Sequence, residues 1–124
     1  MATILLAEDN EAVRLLTQAK LRHQFTVAAA ANGREALDIL ERQHVDLIVA
    51  DVMMPVMDGF EASRAIRALD RPDAATVPIL AMTAQASDEC AQSCHQVGMN
   101  GRLVKPLDAK KLAKSIREAV QNKQ

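Results

Sequence analysis

The sequence predicts an α/β fold in which a parallel sheet is covered on both faces by helices, doubly wound and in one layer of strands. Three observations lead there. Five short apolar runs alternate with five segments whose apolar residues recur at helical spacing. Strand and helix alternating at this spacing form units whose crossover connections demand parallel strands. The central run, Leu47-Ile48-Val49-Ala50, is apolar at every position, as a strand buried on both faces requires.

In chain order, Thr3 to Ala7 is the first strand, ended by the polar cluster Glu8-Asp9-Asn10. A helix from Glu11 to about Arg22 follows, with Ala12, Leu15, Leu16 and Ala19 as its expected inward stripe and Arg14, Gln18 and Lys20 polar. Phe25 to Ala29 is the second strand, and Asn32 with Glu35 three residues on opens a helix whose Ala36, Leu37 and Leu40 face inward. The central strand ends at Asp51, Pro55 fixes a turn, and Asp58 with Glu61 starts a third helix with the stripe Ala62, Ala65, Ile66 and Leu69. Asp70-Arg71-Pro72-Asp73 closes it, and Val77 to Met82 is the fourth strand. Helix four, about Ser87 to Val97, has only Cys90, Ala91, Cys94 and Val97 to anchor it before Gly98 stops it. Arg102-Leu103-Val104 is the last strand, and Asp108 caps a final helix with Leu112, Ala113, Ile116 and Val120 inward.

With 124 residues the chain is expected to be one domain, 1–124, and its 49% hydrophobic content and net charge of -1 suit an ordinary globular protein with no basic face for nucleic acid. The apolar start reaches Glu8-Asp9 too early for a signal peptide or a membrane span, so a cytoplasmic location with no membrane partner is expected. Cys90 and Cys94, four apart on a helix, are not expected to form a disulfide. With no tryptophan or tyrosine and only Phe25 and Phe60 as rings, the core must be aliphatic.

Ligands of such folds gather beyond the carboxyl ends of the strands. There the chain places Glu8 and Asp9 after the first strand, Asp51 after the third, Thr83 after the fourth and Lys105 after the fifth. Three carboxylates converging on one rim repel one another unless a cation sits between them. A hard, oxygen-preferring ion such as Mg2+ meets that need, and the lack of Cys or His in the cluster disfavours zinc and copper. Lys105 adds a point charge suited to a phosphate oxygen, and Thr83 a hydroxyl donor. Together they describe phosphoryl transfer onto an aspartate, in which catalysis is mostly positioning and charge neutralisation. A single strand-end Asp is most often a turn former or helix cap, which suffices for Asp58 or Asp108 but not for five residues in matching order at one rim.

These residues also carry a family resemblance. Glu8-Asp9, Asp51 followed by Met54-Pro55 and Asp58-Gly59, Thr83-Ala84 and Lys105-Pro106 resemble the signature of receiver domains of two-component response regulators, over essentially the whole chain. The resemblance implies a five-stranded sheet in the order 2-1-3-4-5, of which a member of that family is a standard example. It implies Asp51 as phosphoacceptor, Asp9 as a magnesium ligand, Glu8 as a second acid acting on the ion and the Met53 backbone carbonyl as the remaining protein ligand. Thr83 and Lys105 then hold the phosphoryl oxygens, and small Ala84 leaves room for them. A phosphohistidine of a sensor histidine kinase is the implied donor, and the only catalysis implied is of the domain's own phosphorylation and slow dephosphorylation. Gly98 to Leu107 and the Met82-Thr83-Ala84-Gln85 stretch look most like receivers of hybrid sensor kinases, which commonly pass the phosphoryl to a histidine-phosphotransfer protein.

One position departs from the pattern: family members commonly carry an aromatic residue three places before the lysine, and here that place is Arg102. A guanidinium is costly to bury, so Thr83 is expected to move toward the phosphoryl while Arg102 stays partly solvated. Rival readings fit less well. A dinucleotide- or flavin-binding enzyme needs a Gly- or Ser/Thr-rich phosphate loop where this chain has acids, and aspartyl phosphatases resemble enzymes with a second aspartate at the place of Met53. An inert interaction module would bind no magnesium. Cys90, Cys94 and His95 fall short of a four-donor soft-metal site, His23 and His44 read as surface groups, and Lys110, Lys111 and Lys114 as a solvated helix face.

Overall fold

A computed structural model describes residues 2–52, 58–69, 76–83, 88–104 and 109–121. Its strands are β1 (Thr3–Ala7), β2 (Thr26–Ala30), β3 (Leu47–Asp51), β4 (Ile79–Thr83) and β5 (Gly101–Val104). They form one parallel sheet in the order β2-β1-β3-β4-β5, as the resemblance implied. Among the described residues five helices connect and follow them: α1 (Glu11–Leu21), α2 (Gly33–Arg42), α3 (Gly59–Arg67), α4 (Asp88–Gln96) and α5 (Ala109–Gln121).

Alternation along the strands divides the core in two. Leu5, Ile48, Ile79 and Ala81 point to one face and pack with Ala36, Leu37 and Leu40 of α2, Ile66 of α3 and Cys94 of α4. Ile4, Leu6, Leu47, Val49 and Met82 point to the other and pack with Leu21 of α1 and Leu112, Ala113 and Ile116 of α5. Both faces of β1, β3 and β4 are therefore dry, which is why those strands are apolar at consecutive positions.

Local signals set the helix starts. Asn32 Oδ1 accepts from Glu35 N–H at 2.9 Å, while Glu35 Oε1 reaches back to Ala31 N–H at 2.9 Å. Asp58 Oδ1 likewise accepts from Glu61 N–H at 2.8 Å. Each satisfies a donor that the helix itself cannot. Several strand boundaries shift by a residue or two: β2 ends at Ala30, β4 runs on to Thr83 and β5 starts at Gly101, and two of the strand starts have a local cause. Phe25 belongs to the turn before β2, because its N–H closes the end of α1 by donating to Leu21 O at 3.0 Å. Ile79 rather than Val77 begins β4, since Pro78 has no N–H to give the ladder.

A larger difference concerns α1. The expected inward stripe is not inward: Ala12 is exposed, Leu15 and Leu16 are 55% and 57% exposed, and Ala19 is half-buried. Arg14, Thr17 and Gln18 lie half-buried instead, with Leu21 the fully buried anchor. Helical spacing states which residues share a face, and not which way the face is turned. In α5, Val120 is half-buried and packs against the core, on the inward face expected of it. Pro55, the Asp70–Asp73 turn, Asp108 and the side chains of Cys90 and Ala91 lie outside the described residues.

The C-terminal end of α4 is fixed by α3. Ser63, buried, donates to Val97 O at 2.6 Å, and the Arg67 guanidinium donates to Gly98 O at 2.7 and 3.1 Å and to Asn100 Oδ1 at 2.9 Å. Asn100 Oδ1 also accepts from Ile79 N–H at 2.9 Å, tying the same corner to β4. Gly98, at φ 89°, makes the left-handed turn that ends the helix. Burial pushes the Arg67 guanidinium below its ordinary pKa, yet an arginine so placed stays charged at neutral pH.

At the other end of α3, Gly59 is seated directly on the end of β3. A Cβ there would lie 2.5 Å from Asp51 O and 2.9 Å from Val52 Cα, and Gly59 N–H donates to Val52 O at 3.2 Å. Only glycine allows this approach. Gly59→Ala is expected to force α3 away from β3 and to cost about 1–3 kcal/mol, read as a lower urea midpoint; an unchanged or raised midpoint would contradict the close seating.

Candidate functional site

Register in the sheet brings the acids together. Ala7 and Ala50 are paired across β1 and β3, so Glu8 and Asp51 each stand one residue further on, at the carboxyl edge. Asp9 follows in the turn into α1. Carboxylate oxygens of Glu8, Asp9 and Asp51 all lie within 4.8 Å of one another. Glu8 and Asp51 are only 2% and 4% exposed, whereas Asp9 faces solvent.

The turn that carries the two N-terminal acids is held at several points. Glu8 N–H donates to Ala30 O at 3.0 Å, extending β1's pairing with β2 by one residue. Its Oε1 lies 3.4 Å from Asn10 N–H, and its carbonyl accepts from Arg14 Nη1 at 2.9 Å. Asn10 caps α1, with Oδ1 accepting from Val13 N–H at 3.1 Å. Neither the Asn10 cap nor the Arg14 contact was read from the sequence, although Asn10 directly before a helical run was the available signal.

On the other side, Asp51 is paired with Met82, and Val52 N–H donates to Met82 O at 3.1 Å. Thr83, the next residue of β4, is 3% exposed and ends its strand at the same edge. It is paired in turn with Val104, after which Lys105 follows in sequence. Arg102 is half-buried. The structure thus brings together Glu8, Asp9 and Asp51 and sets Thr83 on the neighbouring strand; Met53, Met54, Ala84, Lys105 and Pro106 lie outside the described residues.

Three oxygens of this kind, two on nearly buried carboxylates, are a donor set for a hard divalent cation such as Mg2+, which takes few protein ligands and completes its shell with water. Among the described residues no nitrogen or sulfur ligand joins them in the cluster. Cys94 is buried in the apolar core between sheet and helices, and His95 is exposed. His44, also exposed, pairs with Asp46 at 3.2 Å.

Comparison with known proteins agrees with this geometry. The family pattern described as "Response regulator receiver domain" matches residues 4–117. The chain is 38% identical over 118 residues to the transcriptional regulatory protein AfsQ1 of Streptomyces coelicolor, covering 94% of this chain and 50% of that protein. It therefore spans about half the length of that relative. Among solved structures, chemotaxis response regulator CheY4 of Vibrio cholerae is 36% identical with a TM-score of 0.89, over 96% of this chain and 98% of that one. The receiver domain of sensor histidine kinase PA1611 from Pseudomonas aeruginosa, solved with magnesium coordinated in its active site cleft, is 36% identical with a TM-score of 0.87, over 97% and 98%. Relatives include hybrid histidine kinases as well as response regulators. Among the described residues no helix is long and apolar enough to cross a membrane. Matched along nearly its whole described length in sequence and in fold, the chain belongs to the receiver domain family of two-component signal transduction.

Proposed function

We propose that the chain, acting over 1–124 as one receiver domain in the cytoplasm, accepts a phosphoryl group on Asp51 from a phosphohistidine of a sensor histidine kinase. The observation that carries this is the convergence of Glu8, Asp9 and Asp51 within 4.8 Å at the carboxyl edge of a parallel sheet. A carboxylate oxygen of Asp51 attacks phosphorus as the bond from phosphorus to the donor's imidazole nitrogen breaks, and the imidazole keeps the electron pair and takes up a proton. Glu8, Asp9, Asp51 and the Met53 carbonyl would hold Mg2+, which would supply charge neutralisation between the acids and the incoming phosphoryl. Thr83 and Lys105 bind the other phosphoryl oxygens, and the same group of residues supports slow self-dephosphorylation. Phosphorylation adds roughly one to two negative charges; Thr83 moving toward them carries the change outward, with Arg102 partly solvated, and onward transfer to a histidine-phosphotransfer protein is a use of the same bond.

The donor's histidine must approach Asp51 closely, so whatever surrounds this edge touches the donor. There α1 presents Val13, in its first turn, and Leu16 one turn on, at 40% and 57% exposed, and β5 ends in Val104 at 41%. Exposed apolar side chains on the elements that flank the acids are suited to covering by a partner. We therefore assign this rim to the histidine-bearing domain.

Two measurements test the reading. Intact-mass analysis with Mg2+ and acetyl phosphate should show one added phosphoryl group, absent in Asp51→Ala and after chelation; no gain from acetyl phosphate or from a phosphorylated kinase would overturn it. Leu16→Asp should leave labelling by acetyl phosphate unchanged while slowing transfer from the kinase by about tenfold or more, the equivalent of one lost apolar contact of about 1.5–3 kcal/mol. Equal slowing with both donors would remove the rim from the docking surface.

A further inference from the structure

Arg14 is placed against the ordinary logic of an amphipathic helix. It lies half-buried on the sheet side of α1 while Leu15 and Leu16 face out, the reverse of what apolar burial alone would select. The observed rotation is held where α1 meets the acidic turn: Asn10 Oδ1 accepts from Val13 N–H at 3.1 Å, Asn10 O accepts from Arg14 N–H at 2.8 Å, and Arg14 Nη1 donates to Glu8 O at 2.9 Å. That last oxygen belongs to the peptide joining Glu8 to Asp9. A peptide is planar, so a donor gripping its oxygen orients both flanking Cα atoms, from which the Glu8 and Asp9 side chains spring.

We propose that Arg14 is a positioning residue for the metal site, holding the Glu8–Asp9 peptide so that both carboxylates face Asp51. The inference rests on the magnesium reading above. It makes a prediction of unusual sign. A guanidinium close to a cation site opposes cation binding by simple repulsion, so removing its charge should tighten magnesium binding if charge were all that mattered. Removing an outer contact that orients ligands weakens metal binding instead, by about tenfold or more.

The experiment is calorimetric titration of Mg2+ into wild type, Arg14→Met and Arg14→Lys, each paired with a urea unfolding curve of the metal-free protein. Arg14→Met keeps the aliphatic stem and loses the donor, and its magnesium affinity is expected to fall about tenfold, with Arg14→Lys recovering part of the loss as a shorter single donor. If Arg14→Met fails to fold, Arg14→Gln replaces it, with the same weakening expected. Tighter binding in the neutral variant, or unchanged affinity with lowered stability alone, overturns the proposal. A wild-type protein that takes up no magnesium fails at the first titration; that result overturns the metal reading and this proposal together, and is distinguished by appearing without any substitution.

Discussion

Everything at the carboxyl edge depends on the parallel pairing of β1 with β3 in one register. Ala7 beside Ala50 puts Glu8 beside Asp51, and a slip of one residue would turn one of these carboxylates to the opposite face of the sheet. The register is enforced from both sides, because Leu5 and Ile48 point into one core while Leu6 and Val49 point into the other. Strands buried on both faces cannot slip without moving apolar side chains out of two cores at once. The fold thus spends its most strongly specified contact on bringing like charges together, an arrangement that is unfavourable in isolation and becomes useful when a cation is supplied.

Around that contact the remaining elements act as supports. Gly59 lets the start of α3 press onto the carbonyl of Asp51, and Arg14 grips the carbonyl of Glu8 from α1. Two strands' ends are therefore held by the two helices that follow the acids in sequence, each through a backbone oxygen. The far end of α4 is fastened to α3 through Ser63 and Arg67, so any movement of α4 that follows a change at Thr83 has a fixed point at Val97 and Gly98. The rotation of α1 that brings Arg14 inward also sets Leu15 and Leu16 outward.

Much of this was legible in the sequence, and the exceptions share a cause. Alternating apolar segments gave the layers, and the caps at Asn32 and Asp58 were readable because the side chain and the amide it serves are three residues apart. The acids and the threonine could be assigned to one rim because strand ends in a parallel sheet share an edge. The order of the strands came from the family resemblance, since periodicity does not say which strand lies beside which. What stayed hidden was long-range or rotational. Ser63 finds Val97 and Arg67 finds Gly98 more than thirty residues away, with no local sequence signal. The facing of α1 is not contained in its leucine spacing, because it depends on the contact of a single arginine, Arg14, with Glu8 O. Asp58-Gly59 was read as a helix start, which it is, but the need for glycine comes from β3 pressing on it.

The central claim, that Glu8, Asp9 and Asp51 form one divalent-cation site at the edge of the sheet, is tested most directly by adding substoichiometric Mn2+ to isotopically labelled protein and recording which amide resonances broaden. Broadening that falls off with distance from the metal should centre on Glu8 to Asn10 and on Asp51 and Val52, and be reversed by Mg2+. Broadening centred elsewhere, or none that Mg2+ reverses, would contradict it.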